Sequence, residues 1–459
     1  MPRRRPANST MPYFQPDLEI ELPPVPADAS SGRPILAKYP GPISFGPFTV
    51  DLAIARMFRD GVEFPLRPQV FRVLRFLIQN PGRLIDYEEM LRGAWAGARV
   101  SRHTVAVTVN ELRNTLGEYG AWISIRPGYG YSLEIPETEH LMRLGQHFRS
   151  QQTRAGLYNA IGCFERVAAL EGAGGRAWEE LAGAYLQIGL LGARPARELQ
   201  KAFSGAHKQA SAANGGTPRL RLQQALSLFL FEHSFAEAAY ELSQLVDAVP
   251  AFLEARVCLA MIDFVCGRTG EALDELRTAE KTDVLYPLIG YVKPRILLCS
   301  GELTAAETCA KQAVALHPNA PIARINYADV LDARGDDGAA AQYRTARAIE
   351  PEVAWIRAAE ARCLARRGET KTALEILEQL ETNRDAQYVD AYHMALLQEA
   401  LGRRDTAFRE LERAYEERSP MIAWLECDNK SDSIRKDPRF MDLRERVWSA
   451  PQSGSRLSA

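Results

Sequence analysis

Five glycines constrain this 459-residue chain more than any other feature. Gly267, Gly301, Gly335, Gly368 and Gly402 stand 34, 34, 33 and 34 residues apart, and each is followed five residues later by an alanine: Ala272, Ala306, Ala340, Ala373 and Ala407. Seven residues before four of these glycines lies another alanine (Ala260, Ala328, Ala361, Ala395), with Pro294 at the remaining place. Ala279, Ala313 and Ala414 follow the loop alanine by seven residues, and Pro318 and Pro351 close two of the units. Small residues at two fixed crossing points let the backbones of a first helix (A) and a second helix (B) approach closely, and neighbouring units then stack into a solenoid.

A 34-residue period of this kind resembles the tetratricopeptide repeat. The pattern is regular over residues 220–420; upstream, Trp178, Ala182, Tyr185 and Gly189 fit a first helix and Tyr158 to Val167 a second, with interruptions at Gly172 to Arg176 and Ser211 to Pro218. The expectation is about eight helix pairs. Trp424 and the run Lys436-Asp437-Pro438-Arg439-Phe440 with Leu443 predict a capping helix. The resemblance implies a concave groove for a peptide or small effector, with Tyr291, Lys293, Arg295, Arg324, Asn326, Tyr327, Arg357 and Tyr392 on the A helices as candidate lining residues. A fold of this type fixes no ligand, and the same residues can serve as packing.

A different pattern occupies residues 99–131. Ser101 is a candidate N-cap, and Val105, Val109, Leu112 and Leu116 form one apolar stripe of a helix that Gly117 ends. The other face carries His103, Val107, Asn110, Glu111 and Asn114, flanked by Thr104, Thr108 and Arg113, a short hydrogen-bonding surface suited to a DNA major groove. From Trp122 to Leu133 the residues alternate around Pro127, Gly128 and Gly130, which predicts a hairpin. Upstream, short strands with turns at Gly46-Pro47 and Asp60-Gly61 precede a helix opened by Pro68 (Val70, Phe71, Leu74, Leu77 and Ile78 on one side) and a second capped by Asp86.

The order strands, helix, helix, loop, long helix and hairpin resembles the OmpR/PhoB type of winged-helix DNA-binding domain. Leu66-Arg67-Pro68, Asn80-Pro81-Gly82, Leu91 with Trp95, Glu111-Leu112-Arg113 and Gly130-Tyr131 carry the likeness. The resemblance implies that Arg99, Arg102, His103, Thr104, Val107, Thr108, Asn110, Glu111, Arg113 and Asn114 lie at or beside double-stranded DNA, with Arg126 and Tyr129 on the wing. It also implies a contact between the Gly93 to Val100 loop and RNA polymerase. A carboxylate at Glu111 is repelled by phosphates unless it accepts from a cytosine amino group or pairs with Arg113. Residues 43–136 hold eleven arginines, no lysine and nine acids, a net charge of only +2.

The expected fold class is therefore mainly α: an N-terminal α+β winged helix-turn-helix followed by an all-α superhelical solenoid. The expected domains are a Pro-rich disordered lead at 1–40 with nine prolines, the winged helix at 41–136, the repeats with their cap at 137–450 and a tail at 451–459. No stretch is long and apolar enough for a membrane span, and the seven cysteines form no C-x-x-C pair, which fits reduced core thiols of a cytoplasmic protein. No metal-spaced His/Cys set, phosphate-binding loop or nucleophile elbow is present, so neither an enzyme nor a cofactor is expected. The two-part plan resembles transcriptional regulators of the HilA kind, and the CadC kind without its membrane span. It implies a DNA reader whose repeats take an effector, a partner protein or a second copy; the alternative is a scaffold whose winged helix contacts protein.

Overall fold

The computed structural model describes residues 43–448, except 46, 47, 53, 60, 61, 172, 173, 385 and 386. The expected lead at 1–40, the tail at 451–459, the turns at Gly46-Pro47 and Asp60-Gly61 and part of the Gly172 to Arg176 interruption lie outside these residues. The chain divides into two compact units, one running to Glu139 and one from His140.

The first unit begins with four antiparallel strands in sequence order, β1 (Ile43–Phe45), β2 (Phe48–Asp51), β3 (Arg56–Arg59) and β4 (Val62–Glu63). Three helices follow, α1 (Pro68–Gln79), α2 (Tyr87–Ala94) and α3 (Arg102–Leu116), and then a hairpin of β5 (Ile123–Arg126) and β6 (Gly130–Leu133). Pro68 starts α1 with its φ already helical and no N–H to satisfy. Asp86 and Glu89 form a reciprocal capping box on α2. The apolar stripes of α1 and α3 meet Phe48, Val50, Met57, Met90 and Ile123 in one core, with Trp95 sealing its edge. Gly130 sits at φ +150° where β6 meets Ile85, and a Cβ there would stand 2.0 Å from the Ile85 carbonyl oxygen.

In the second unit α4 (Glu137–Ser150), α5 (Arg154–Glu171), α6 (Gly175–Leu190), α7 (Ala196–Asn214), α8 (Pro218–Ser227) and α9 (Phe235–Ala248) precede the glycine-turned repeats. The regularity expected from residue 220 starts only at α10, because α8 runs into a π turn at Leu228–Glu232 and His233, not a glycine, takes the left-handed position. The repeats are α10 (Leu253–Val265) with α11 (Thr269–Thr282), α12 (Pro287–Cys299) with α13 (Leu303–Leu316), α14 (Pro321–Ala333) with α15 (Ala339–Ile349), α16 (Ala354–Arg366) with α17 (Thr370–Thr382), and α18 (Ala391–Ala400) with α19 (Arg404–Glu416). Taken two at a time, α4 to α19 make eight pairs among the described residues. The five periodic glycines all end an A helix with φ between +72° and +83°, the left-handed turn that sends helix B back. The alanines at the crossing points are buried. Beyond α19 the chain makes short 3-10 turns at Pro420–Trp424, Asn429–Ser431 and Ile434–Lys436, and the last described element is α20 (Arg439–Trp448), over the residues where the sequence predicts a capping helix.

The glycine turn and the helix interior give opposite outcomes for one substitution. Nothing lies within 4 Å of a Cβ built at Gly335 or at Gly205, so only backbone conformation decides. Gly335→Ala, at φ +72°, lowers the urea unfolding midpoint, by about 1 kcal/mol in stability, whereas Gly205→Ala inside α7 raises it by roughly 0.5–1 kcal/mol. A neutral Gly335→Ala would show that the turn does not set the repeat.

Candidate nucleic-acid interface and repeat groove

Helix α3 is anchored at its start by the Ser101 hydroxyl, which accepts from the Thr104 N–H at 3.1 Å. The Tyr87 hydroxyl donates to the Val100 carbonyl, and the Arg102 guanidinium lies 5.0 Å over the Tyr87 ring, so α2 holds the entry to α3. Burial of Val105, Val109, Leu112 and Leu116 turns Arg102, His103, Thr104, Val107, Asn110 and Asn114 to the outside. Val107 is 48% exposed, an isolated apolar side chain on an otherwise polar face. Arg99 is exposed on the loop ahead of the helix.

Three of the expected interface residues stand differently. Thr108 is only 4% exposed, and its hydroxyl donates to the Thr104 carbonyl at 2.9 Å; adjacent to Val109 and one turn before Leu112, it rotates inward with the apolar stripe. Glu111 pairs with Arg67, the residue just before α1, and not with Arg113. Arg113 donates from Nε to the Gly120 carbonyl at 3.1 Å and is half-buried, which ties the end of α3 to the 3-10 turn Gly117–Trp122. Arg67 belongs to this surface and was not among the residues expected there; a basic residue directly before a helix-opening proline was the available signal.

The wing is a four-residue turn closed by the Tyr129 N–H donating to the Arg126 carbonyl at 2.9 Å, with Gly128 at φ +82°. Arg126 is exposed beside the turn and Tyr129 is 74% exposed at its tip, so both project from the hairpin.

The groove expected in the second unit is filled by the chain itself. Residues 419–436 cover the A helices: Trp424, Leu425, Ile422 and Ile434 are buried in the repeat core, with Trp424 5.9 Å from the Phe264 ring and 4.1 Å beneath the Arg295 guanidinium. Asp428 has no exposure; it accepts from Arg295 at 3.4 Å and from the Tyr392 hydroxyl at 3.2 Å, while Lys430 donates to Asp329 at 2.6 Å. Arg362 lies 3.6 Å from Asp329 and 3.0 Å from Asp332. Burial alone would raise the Asp428 carboxyl, but Lys430 and Arg295 outweigh it and hold the group below its usual range.

Arg295 and Tyr392 therefore face this segment and not an open groove. Asn326 is buried, donating to the Tyr291 carbonyl at 2.7 Å. The others tie one helix to the next: Lys293 to Glu280 at 2.6 Å, Arg324 to Gln342 at 3.2 Å, Arg357 to Gln379, Tyr291 edge-on to His317, and Tyr327 beneath Lys311 at 6.0 Å. Asp329 and Arg362 were not expected at the inner face, yet they occupy the position of Arg295 in the next two repeats, 34 and 33 residues on. That register was the missed signal.

The early helices also reach the junction between α15 and α16. Arg154 at the start of α5 donates its backbone N–H to Glu350 Oε1 at 2.9 Å and pairs with Glu352, and Trp355 Nε1 donates to the Leu191 carbonyl at 2.7 Å. Burial pushes the Glu350 carboxyl up to about 7, against the weaker pull of Arg154.

Residues 61–133 match the family described as "Transcriptional regulatory protein, C terminal". This segment is an OmpR/PhoB-type winged helix, the DNA-binding domain of transcriptional regulators, joined in this chain to a tetratricopeptide-like solenoid. The chain is 37% identical over 78 residues to the transcriptional regulatory protein CutR of Streptomyces coelicolor (17% of this chain, 36% of CutR). It is 37% identical over 92 residues to the phosphate regulon regulatory protein PhoB of Rhizobium meliloti (19% and 40%) and 26% over 98 residues to the transcriptional activator CadC of Escherichia coli (20% and 19%). It thus spans only between about a fifth and two fifths of these relatives. Among solved structures, a tetratricopeptide repeat protein from Parabacteroides merdae aligns over 59% of this chain and 98% of its own with a TM-score of 0.37 at 14% identity. The type IV pilus biogenesis factor PilW aligns over 46% and 92% with a TM-score of 0.34 at 14% identity. Among the described residues no helix is long and apolar enough to cross a membrane.

The raised Glu350 value fixes the sign of a pH effect. Its contribution to stability is complete below about pH 4.5 and is lost as pH rises to about 7, by roughly 3 kcal/mol at most. Glu350→Gln keeps an acceptor for the Arg154 N–H, so the variant should flatten the unfolding profile across that window and exceed the wild type at pH 8. An unchanged profile would remove Glu350 as its source.

Proposed function

We propose that the chain is a sequence-specific DNA-binding transcriptional regulator acting in the cytoplasm, in which α3 enters the major groove and the β5–β6 wing follows the adjacent backbone. The observation that carries the reading is the exposed face of α3, where Val107 and Asn110 stand one turn apart between His103 and Asn114, in a domain of the regulatory family. Asn110 can pair bidentately with adenine N6 and N7, and the Val107 methyls suit a thymine methyl. Arg99, Arg102 and Arg126 take phosphates, and the Arg67–Glu111 ion pair leaves the edge of the face without an unpaired carboxylate. Thr108 lies outside the contact set.

A net charge of +2 supplies little nonspecific attraction, so one copy binds weakly. The repeats serve association: two winged helices on adjacent half-sites bind with the higher effective concentration of a tethered pair. The exposed residues Ala96 to Ala98 of the loop ahead of α3 are left free for RNA polymerase.

The test is anisotropy titration with a duplex selected by the full chain, across a series of salt concentrations. Combining Arg99→Ala, Arg102→Ala and Arg126→Ala should reduce the logarithmic salt slope by about three, roughly one per phosphate contact. Asn110→Ala should cost about 1–3 kcal/mol on the selected site and relax base preference at one position, while Thr108→Val leaves affinity unchanged. Absence of binding in low salt would favour a winged helix that contacts protein.

A further inference from the structure

The face that a repeat solenoid offers to a partner is already occupied by residues 419–436 of the same chain, and the fit is specific in charge. On the platform, Arg295, Asp329 and Arg362 alternate in sign at one position of three successive repeats. The covering segment brings Asp428 to Arg295 and Lys430 to Asp329, and lays Trp424 beneath the Arg295 guanidinium. With Asp332, three carboxylates meet three cations in a balanced buried set. These contacts join residues 133 and 101 positions apart, so nothing in the local chain requires that platform and segment belong to one molecule.

The connection to α19 is short and conformationally costly. Arg418 is a non-glycine residue at φ +58°, and its guanidinium is drawn to the Glu232 carbonyl at 2.8 Å. An extended backbone at Glu417–Ser419 removes that strain and carries the following segment away from its own platform. An empty platform is unfavourable, because Arg295 and Asp329 would lose buried partners. The occupant that restores every contact is the same segment of another copy.

We propose that Ser419–Trp448 is exchanged between two copies of the chain, each platform taking the partner's Trp424, Asp428 and Lys430, so that the repeat unit forms the dimer. The exchange deepens the association reading above and rests on it only for its consequence at DNA. Strained, short hinges favour this kind of exchange.

Charge reversal separates exchange from closure within one chain. Lys430→Asp places a carboxylate against Asp329, and Asp329→Lys places an ammonium against Lys430, so each variant alone is mismatched when the segment stays on its own platform. Co-expressed with different tags, the two variants should yield a 1:1 heterodimer of twice the 51.1 kDa chain mass, with an unfolding midpoint above that of either variant alone. In that heterodimer one platform regains the native Asp329–Lys430 pair and the other its reversed form. The double variant in one chain restores the pair in either arrangement and controls for folding. Separate elution of the two tagged chains, or a mixed sample with no gain in midpoint while the double variant folds, would overturn the exchange. A wild-type dimer without such rescue would overturn it too, but would leave paired DNA binding standing.

Discussion

Close approach of two helices is the condition on which the repeat unit depends. At each 34-residue step the A helix ends in a left-handed residue, and buried alanines at the crossing points bring the B helix back against it. A side chain with a Cβ at the turn strains the backbone, and a larger one at the crossing pushes the helices apart. Both errors would propagate, because every pair is the packing surface of the next. The regular pitch also lines up equivalent positions, and so places Arg295, Asp329 and Arg362 in register along one face.

That alignment explains why the inner face is charged and yet buried. Desolvated charges are tolerated only with partners, and residues 428 and 430 bring the missing ones from the chain's end. The arrangement selects one occupant and contributes little net stability, whereas the apolar weight of the covering segment comes from Ile422, Trp424, Leu425 and Ile434. Where the repeat pattern suggests an open concave groove, Arg295, Asp329 and Tyr392 instead meet Asp428 and Lys430 of the same chain.

The winged helix works by a separate logic. Its core is set by apolar stripes on α1 and α3 and by a capping box on α2, and these rotate the polar residues of α3 outward. The polar face of α3 and the wing turn are thereby fixed on rigid elements. The ion pair between Arg67 and Glu111 removes the one carboxylate that a phosphate backbone would repel.

The two fold types, the helix that presents the reading face and the wing were legible in the sequence, because they follow from local periodicity, caps and glycine turns that neighbouring residues decide. The outward set His103, Val107, Asn110 and Asn114 followed from the same periodicity, while Thr108 did not, since a flanking residue turns in or out according to how the helix is rolled onto its core. The partner of Glu111 lay 44 residues away, and the partners of Arg295 and Asp329 lay 133 and 101 away. By itself the sequence determined what each segment becomes and which face is apolar. Only the tertiary structure decided which charges meet and what fills the groove, because those pairings depend on how far the solenoid curves before its own end returns to it.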